Sequence, residues 1–123
     1  MTLLRIDHVQ LAMPAGEEVA ARGFYVGCLG LTETPKPEDL AGRGGAWFHS
    51  GSVHVHLGVD PDFRPAKKAH PGFVVKELTR LIGVLRAAGH SVDDPVRMGD
   101  VSRTFVHDPF GNRIELIDAT VRV

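Results

Sequence analysis

The sequence lacks the features that would place it in a membrane, in an oxidising compartment or on nucleic acid. Its only cysteine, Cys28, excludes an internal disulfide and fits a reducing compartment. No apolar run approaches the roughly 20 residues that span a bilayer, and the polar and apolar alternation of residues 1–13 does not match a secretory signal. The formal net charge of -1 gives no electrostatic reason to bind nucleic acid. We therefore expect a cytoplasmic protein with no membrane or nucleic-acid partner.

The length and composition predict one ordinary domain. The chain has 123 residues, of which 43% are hydrophobic and 24% are charged. A chain of this size buries a sufficient core without disulfides or a structural metal, and it is too short for a second full domain. We expect a single domain over residues 1–123.

The most informative stretch runs from Arg103 to Ile117. Two runs rich in β-branched and apolar residues flank Asp108-Pro109-Phe110-Gly111, which favours a β-hairpin closed by a type I turn and a Gly bulge. If Asp108 pairs with Asn112, the turn also sets the register of the strands. The expected cross-strand pairs are Val106 with Ile114, Thr104 with Leu116, Phe105 with Glu115, and Arg103 with Ile117.

This register places Glu115 in an otherwise apolar run, on the face opposite Val106 and Ile114. A carboxylate in that position is either a solvent-facing strand residue or a group with a chemical task. The usual alternation of antiparallel strands accounts for the first interpretation without any function.

The first half of the chain contains a strand, a helix, a short strand and a hairpin. Alternation indicates strands, helical spacing followed by Gly30 indicates a helix, and a cluster of Pro and Gly indicates a loop. The predicted elements are a strand over Leu4 to Met13, a helix over residues 16–29 that buries Cys28, a strand over Leu31 to Thr34, a loop over residues 35–45, and a hairpin formed by Ala46 to His49 and Ser52 to Gly58.

The second half repeats this order, which predicts two modules of about residues 4–59 and 70–118. A strand begins at His70, a helix runs from Glu77 to Ala88, a short strand covers His90 to Asp93, and the hairpin of Arg103 to Ile117 completes the set. The predicted fold class is α+β.

Superposing the two halves brings four candidate metal ligands into equivalent positions. His8 matches His70 near the start of each first strand, and His56 matches Glu115 in each last strand. A single strand histidine is usually a satisfied polar residue, but repeat-related positions argue against coincidence. Three imidazoles and one carboxylate suit Zn²⁺, Ni²⁺, Fe²⁺, Mn²⁺ or Co²⁺, whereas Ca²⁺ prefers oxygen ligands.

The chain resembles the vicinal oxygen chelate superfamily, also called the glyoxalase, bleomycin resistance and dioxygenase superfamily. The resemblance covers nearly the whole chain through IDHVQLAM, GFYVGCLGL, HVHLG, HPGFVV and RTFVHDPFGNRIELID. It implies two βαβββ modules that form a curled mixed sheet around a cleft, and one divalent ion per site held by His8, His70 and Glu115 with His56 as a fourth ligand. It also implies a homodimer that acts on a small oxygenated or electrophilic molecule by lyase, isomerase or dioxygenase chemistry.

Two departures narrow the reactions that the resemblance implies. Glyoxalase I and methylmalonyl-CoA epimerase usually have Glu or Gln where this chain has His56, which removes a carboxylate base. The segment MGDVSR has no clear counterpart of the potassium-binding loop of fosfomycin-resistance transferases. Extradiol dioxygenases use two histidines and one carboxylate, which His8, His70 and Glu115 supply. The alternative is a metal-free protein that sequesters a small molecule, as bleomycin-resistance members do.

Further residues on the predicted site face are candidates for substrate binding. Arg103 shares that face with Glu115, so it is either a catalytic group that grips a substrate carboxylate or phosphate, or a structural ion-pair partner. Trp47 and Phe48 point to opposite faces, so one packs in the core and the other lines a pocket. The substrate-binding candidates are Arg103, His54, Gln10, Trp47 and Phe105, and the catalytic candidates are Glu115 and Arg103.

Overall fold

The computed structural model describes residues 1–119, which divide into two compact units on either side of the junction between Phe63 and Arg64. Each unit contains one four-stranded mixed sheet, so the chain has the predicted α+β fold class. Within residues 1–119, no helix has both the length and the apolar character needed to cross a membrane.

The first unit has six elements and the sheet order β1-β4-β3-β2. They are β1 (Val9–Met13), α1 (Glu18–Tyr25), β2 (Thr32–Thr34), α2 (Glu38–Ala41), β3 (Ala46–Ser50) and β4 (Val53–Val59). Strands β1 and β4 are parallel, and the other pairs are antiparallel. Helix α1 contacts β3 and buries Phe24 and Tyr25, and Tyr25 stacks on Phe48. The core of this unit therefore lies between the helix and the face of the sheet that carries Phe48, Val55 and Leu57.

The second unit has the equivalent sheet order β5-β8-β7-β6. Its elements are β5 (Gly72–Val75), α3 (Leu78–Ala87), β6 (Val96–Met98), β7 (Val101–His107) and β8 (Arg113–Asp118). Helix α3 contacts β8 and buries the apolar stripe that the sequence predicts, with Leu78, Ile82 and Leu85 at its centre.

The register of the two sheets confirms the internal repeat. In each sheet the first and last strands are parallel neighbours, and Gln10 is paired with His56 as Gly72 is paired with Glu115. His8 and His70 each lie two residues before the first-strand member of that pair. The two candidate ligands of each unit therefore occupy corresponding places in corresponding sheets.

Four local predictions need correction. The first strand begins at Val9, and the residues before it are exposed and lie outside the sheet. Helix α1 ends at Tyr25, so half-buried Cys28 lies beyond it, in a segment where Gly27 contacts the carbonyl of Gly23 too closely for any side chain. The predicted loop contains the short helix α2, which has Pro37 just before it and acids in its first turn.

The fourth correction concerns the short strand of the second half. Residues His90 to Asp93 form only an isolated bridge between Val92 and Val106, and the fourth strand of the sheet is β6. All three residues of β6 are exposed, so this edge strand carries no burial pattern that a sequence could reveal.

The hairpin of β7 and β8 has the predicted turn and register. The backbone N–H of Asp108 donates to the carbonyl of Asn112 at 2.9 Å, and Gly111 has the positive φ of 92° that a Gly bulge requires. Val106 is paired with Ile114, Thr104 with Leu116, Phe105 with Glu115, and Arg103 with Ile117.

The side chain of Asp108 is buried and holds this turn closed. Its Oδ1 accepts hydrogen bonds from the backbone N–H groups of Phe110 and Asn112, each at 2.9 Å, and its Oδ2 accepts one from Asn112 Nδ2 at 2.9 Å. The carboxylate therefore links both sides of the turn that sets the register of β8 and hence the face on which Glu115 lies.

We predict that Asp108→Ala lowers the free energy of unfolding by about 2–4 kcal/mol, because it removes a buried charged acceptor from three N–H donors. Asp60→Ala is the control, since Asp60 caps the single backbone N–H of Asp62 in an exposed turn; its effect should stay below about 1 kcal/mol. Urea unfolding of both variants measures the difference, and equal effects would contradict the role given to Asp108.

Candidate functional site

The first unit contributes a stack of three rings. His56 on β4 lies between His8 and Trp47, with ring centroids 4.1 Å and 3.9 Å away and interplanar angles of 16° and 3°. His8 Nδ1 lies 2.9 Å from Asp7 Oδ2, so its N–H donates to that carboxylate. This bond leaves Nε2 of His8 as the nitrogen with a free lone pair. Burial first, and then the neighbouring His8 and His54, lower the pKa of His56, which favours its neutral form.

The second unit brings His70, Arg103 and Glu115 together. His70 Nε2 lies 3.1 Å from Glu115 Oε1, and Arg103 Nη1 lies 3.1 Å from Glu115 Oε2. His70 Nδ1 donates to the carbonyl of Lys68 at 2.8 Å. Because that bond uses the Nδ1 proton, Nε2 faces the carboxylate either with a second proton or across a shared cation.

Opposing effects act on the pKa of Glu115. Burial raises it, but hydrogen bonds from Arg103 and His70 and the charges of both groups outweigh burial and bring the pKa below its usual value. Glu115 is therefore an anion near neutral pH. The structure thus favours a charged group with specific partners over a merely solvent-facing strand residue.

The four candidate ligands form two pairs, one in each unit. His8 and His56 are adjacent in the first, and His70 and Glu115 are hydrogen-bonded in the second. Among residues 1–119, no three His, Cys, Asp or Glu side chains are grouped so that they could hold a metal ion.

Comparison with known proteins identifies the family. The model of the Glyoxalase/Bleomycin resistance protein/Dioxygenase superfamily matches residues 5–116. The chain belongs to this superfamily. No curated protein matches it in sequence. The resemblance inferred from the sequence motifs is therefore confirmed, and so is the fold class.

Solved structures of the superfamily show the same fold. A glyoxalase family protein from Bacillus anthracis is 46% identical, with a TM-score of 0.90 and coverage of 96% of this chain and 97% of that one. A glyoxalase family protein from Enterococcus faecalis is 23% identical, with a TM-score of 0.70 and coverage of 95% and 99%. The fosfomycin resistance protein FosX from Listeria monocytogenes is 11% identical, with a TM-score of 0.79 and coverage of 98% and 97%. The last two likenesses show the fold alone.

The predicted substrate-binding residues of this superfamily member divide between the units. Trp47 shares the face of His56, while Phe48 is buried in the core, as the alternation predicts. His54 is exposed and stacks loosely on His49, with ring centroids 5.9 Å apart. Gln10 is exposed and lines a groove of about 380 Å³ with Asp60 and Pro61, and none of the four candidate ligands lines that groove.

Two residues on these faces were missed as candidates by the sequence analysis. His49 is half-buried within β3 and hydrogen-bonds Thr34 at 2.5 Å, and its spacing of two residues from Trp47 on the same face was the signal that could have found it. Arg113 shares the face of Glu115, and its Cζ lies 3.8 Å from the ring centroid of Phe105. The period-2 rule applied backwards from Glu115 was the signal that could have found Arg113.

The structure shows one of the two contacts that the sequence left open for Arg103. Arg103 is the ion-pair partner of Glu115, and its Cζ also lies 5.2 Å from the ring centroid of Phe105. Its Nε is buried and has no hydrogen-bond partner among residues 1–119. This geometry holds the Glu115 carboxylate between one guanidinium and one imidazole.

We predict that a double-mutant cycle with Arg103→Met and Glu115→Gln gives a coupling energy of about 1–3 kcal/mol in urea unfolding. The side chains of this pair are only 30% and 16% exposed, so solvent screens the attraction poorly.

Arg22 and Glu33 provide the matched control. Their N–O distance is shorter, at 2.7 Å, but their side chains are 47% and 37% exposed. Arg22→Met and Glu33→Gln should couple by less than about 1 kcal/mol. A larger coupling in the control pair would show that burial does not strengthen the Arg103–Glu115 interaction.

Proposed function

We propose that this superfamily member is a divalent-metal-dependent enzyme that acts on a small oxygenated or electrophilic molecule. In this proposal His8, His56, His70 and Glu115 hold one ion per site, and the reaction is of the lyase, isomerase or dioxygenase type. Members of the superfamily often use a divalent metal and commonly act on small molecules as dimers, so we also propose a homodimer. The cytoplasmic location stays a prediction from the single cysteine.

One observation carries the proposal. His70 donates its Nδ1 proton to the Lys68 carbonyl and thereby directs Nε2 at the carboxylate of Glu115, 3.1 Å away. A histidine that binds a metal through one ring nitrogen usually donates a hydrogen bond from the N–H of the other to a carbonyl or carboxylate. This bond fixes the tautomer and the orientation of the ring. His8 has the same arrangement through Asp7.

The donor set fits a borderline divalent ion. Imidazole nitrogens suit Zn²⁺, Ni²⁺, Fe²⁺, Mn²⁺ and Co²⁺, and one carboxylate lowers the net charge of the site without converting it into an all-oxygen shell. The lowered pKa values of Glu115 and His56 favour the protonation states that bind metal, an anionic carboxylate and a neutral imidazole.

The bound ion supplies positive charge that polarises substrate oxygens and stabilises negative charge developing on them. Neighbouring residues hold the proposed ligands in a fixed orientation. Arg103 fixes the direction of the Glu115 carboxylate through Oε2, and Phe105 meets the ring of His70 edge-on at 5.1 Å, which limits rotation of that ring. Trp47 covers one face of His56 and excludes water from it.

The competing function is metal-free sequestration of a small molecule. It is favoured by the hydrogen bonds that already satisfy both oxygens of Glu115, to His70 and to Arg103. This function predicts that ligand binding is insensitive to a chelator and that His56→Ala and Glu115→Ala bind ligand as the wild type does.

Metal titration separates the two functions. Trp47 is the only tryptophan and stacks on His56, so its fluorescence reports on that ring. We predict a fluorescence change that saturates at one ion per chain for at least one of Zn²⁺, Ni²⁺, Mn²⁺, Fe²⁺ or Co²⁺. Glu115→Ala and His56→Ala should each weaken the affinity by at least about tenfold, because each removes a ligand.

His107→Ala is the control for nonspecific histidine binding, because His107 is exposed at the end of β7 and is not a candidate ligand. It should leave the affinity unchanged. Calorimetry gives the stoichiometry independently of fluorescence. Failure of all five ions to bind stoichiometrically would exclude the metal-dependent function.

A further inference from the structure

A second cationic group lies beside the proposed metal ligands of the second unit. The guanidinium of Arg113 covers the ring of Phe105, with its Cζ 3.8 Å from the ring centroid. Arg103 approaches the same ring at 5.2 Å, and Phe105 is directly paired with Glu115. Two arginines, one phenyl ring and one carboxylate therefore occupy neighbouring positions on one face of this sheet.

The two arginines differ in their partners. Arg103 is paired with the carboxylate of Glu115 at 3.1 Å. The side chain of Arg113 makes no ion pair or hydrogen bond with any other residue of 1–119, and the ring of Phe105 is the group it contacts there. The local charge is consequently positive, because this face of the sheet carries two guanidinium groups and one carboxylate.

The contact with Phe105 leaves the hydrogen-bond donors of the Arg113 guanidinium without acceptors among residues 1–119. Arg113 is half-buried, so its charge has lost some of its water. The guanidinium lies against the Phe105 ring, and its N–H donors have no hydrogen-bond partner in the part of the chain that the structure describes. A planar fork with free donors matches two oxygens of a carboxylate or phosphoryl group. Packing against Phe105 also restricts the arginine before a ligand arrives, which lowers the entropic cost of binding.

Arg113 lies close to the proposed metal ligand Glu115. It precedes Glu115 by two residues on β8, so it lies on the same face about 7 Å along the strand. A small molecule is long enough to contact Arg113 at one end and reach the proposed ligand Glu115 at the other. Anion binding was one of two roles that the sequence left open for Arg103, but the pairing of Arg103 with Glu115 makes Arg113 the better placed group.

We propose that Arg113, supported by Phe105, binds a carboxylate or phosphoryl group of the substrate. The substrate class is then a small organic oxyanion whose reacting oxygens lie within a few bonds of that group. This inference rests on the proposed function, which supplies the reacting centre. Arg103 acts as a positioning residue for Glu115, and Arg113 contacts the substrate.

The test uses metal-free protein, dialysed until no chelator remains, so that neither bound metal nor a chelator carboxylate competes. Inorganic phosphate and acetate are titrated separately, and amide chemical shifts of ¹⁵N-labelled protein report binding. We expect saturable shifts around Phe105, Arg113 and Glu115 with both anions, and tighter binding of phosphate because it carries more charge. Arg113→Gln should weaken binding of both at least tenfold.

Arg97→Gln is the matched control. Arg97 is an exposed arginine of the same sheet, but its neighbour Val96 is the residue paired with Arg103, so Arg97 lies on the opposite face. This variant should bind both anions as the wild type does. Arg113→Lys keeps the charge but loses the fork, and its affinity should fall between those of the wild type and Arg113→Gln.

Equal anion affinity in Arg113→Gln and wild type would overturn the inference, and so would an equal loss in Arg97→Gln. A metal titration of Arg113→Gln distinguishes this failure from failure of the proposed function. Retained metal binding with lost anion binding supports both proposals. If the wild type binds no metal but Arg113→Gln still loses the anion, only the metal-dependent function fails.

Discussion

The buried carboxylate of Asp108 is the constraint on which the site face of the second unit depends. It accepts hydrogen bonds from the backbone of Phe110 and Asn112 and from the Asn112 side chain, and so fixes the number of residues in the turn. A shift of one residue in β8 would turn Glu115 into the core and Ile114 out of it. The proposed metal ligand Glu115, its ion pair with Arg103 and the contact of Arg113 with Phe105 therefore all depend on one closed turn.

The two sheets have matching positions but carry different chemical groups at them. Each sheet places one histidine before its first strand and one donor residue on its last strand, at matching register. The first unit places His56 between the rings of His8 and Trp47, and this burial lowers the pKa of His56, which favours a neutral imidazole. The second pairs Glu115 with Arg103 and His70, which lowers the pKa of Glu115 and favours its carboxylate form. The repeat thus supplies the positions, and local substitutions determine the charge at each one.

Turn chemistry and alternation made the hairpin, its register and the equivalence of the four candidate ligands predictable from the sequence. The exposed strand Val96–Met98 was not predictable, because none of its residues is buried and no pattern distinguishes it from a loop. The stacking of Arg113 on Phe105 was also missed. Alternation gives the face on which an arginine lies, but the contact it makes there depends on its rotamer and on competition with Arg103 for Glu115.

The central claim is that the two imidazoles of the first unit and the His70–Glu115 pair serve one metal ion. The most direct measurement is a crystal structure of the protein loaded with Co²⁺, with the ion located by anomalous scattering. The account predicts one ion coordinated by nitrogen atoms of His8, His56 and His70 and by an oxygen of Glu115. An ion bound by one pair alone, or no ion at these residues with the His70–Glu115 hydrogen bond intact, would contradict it.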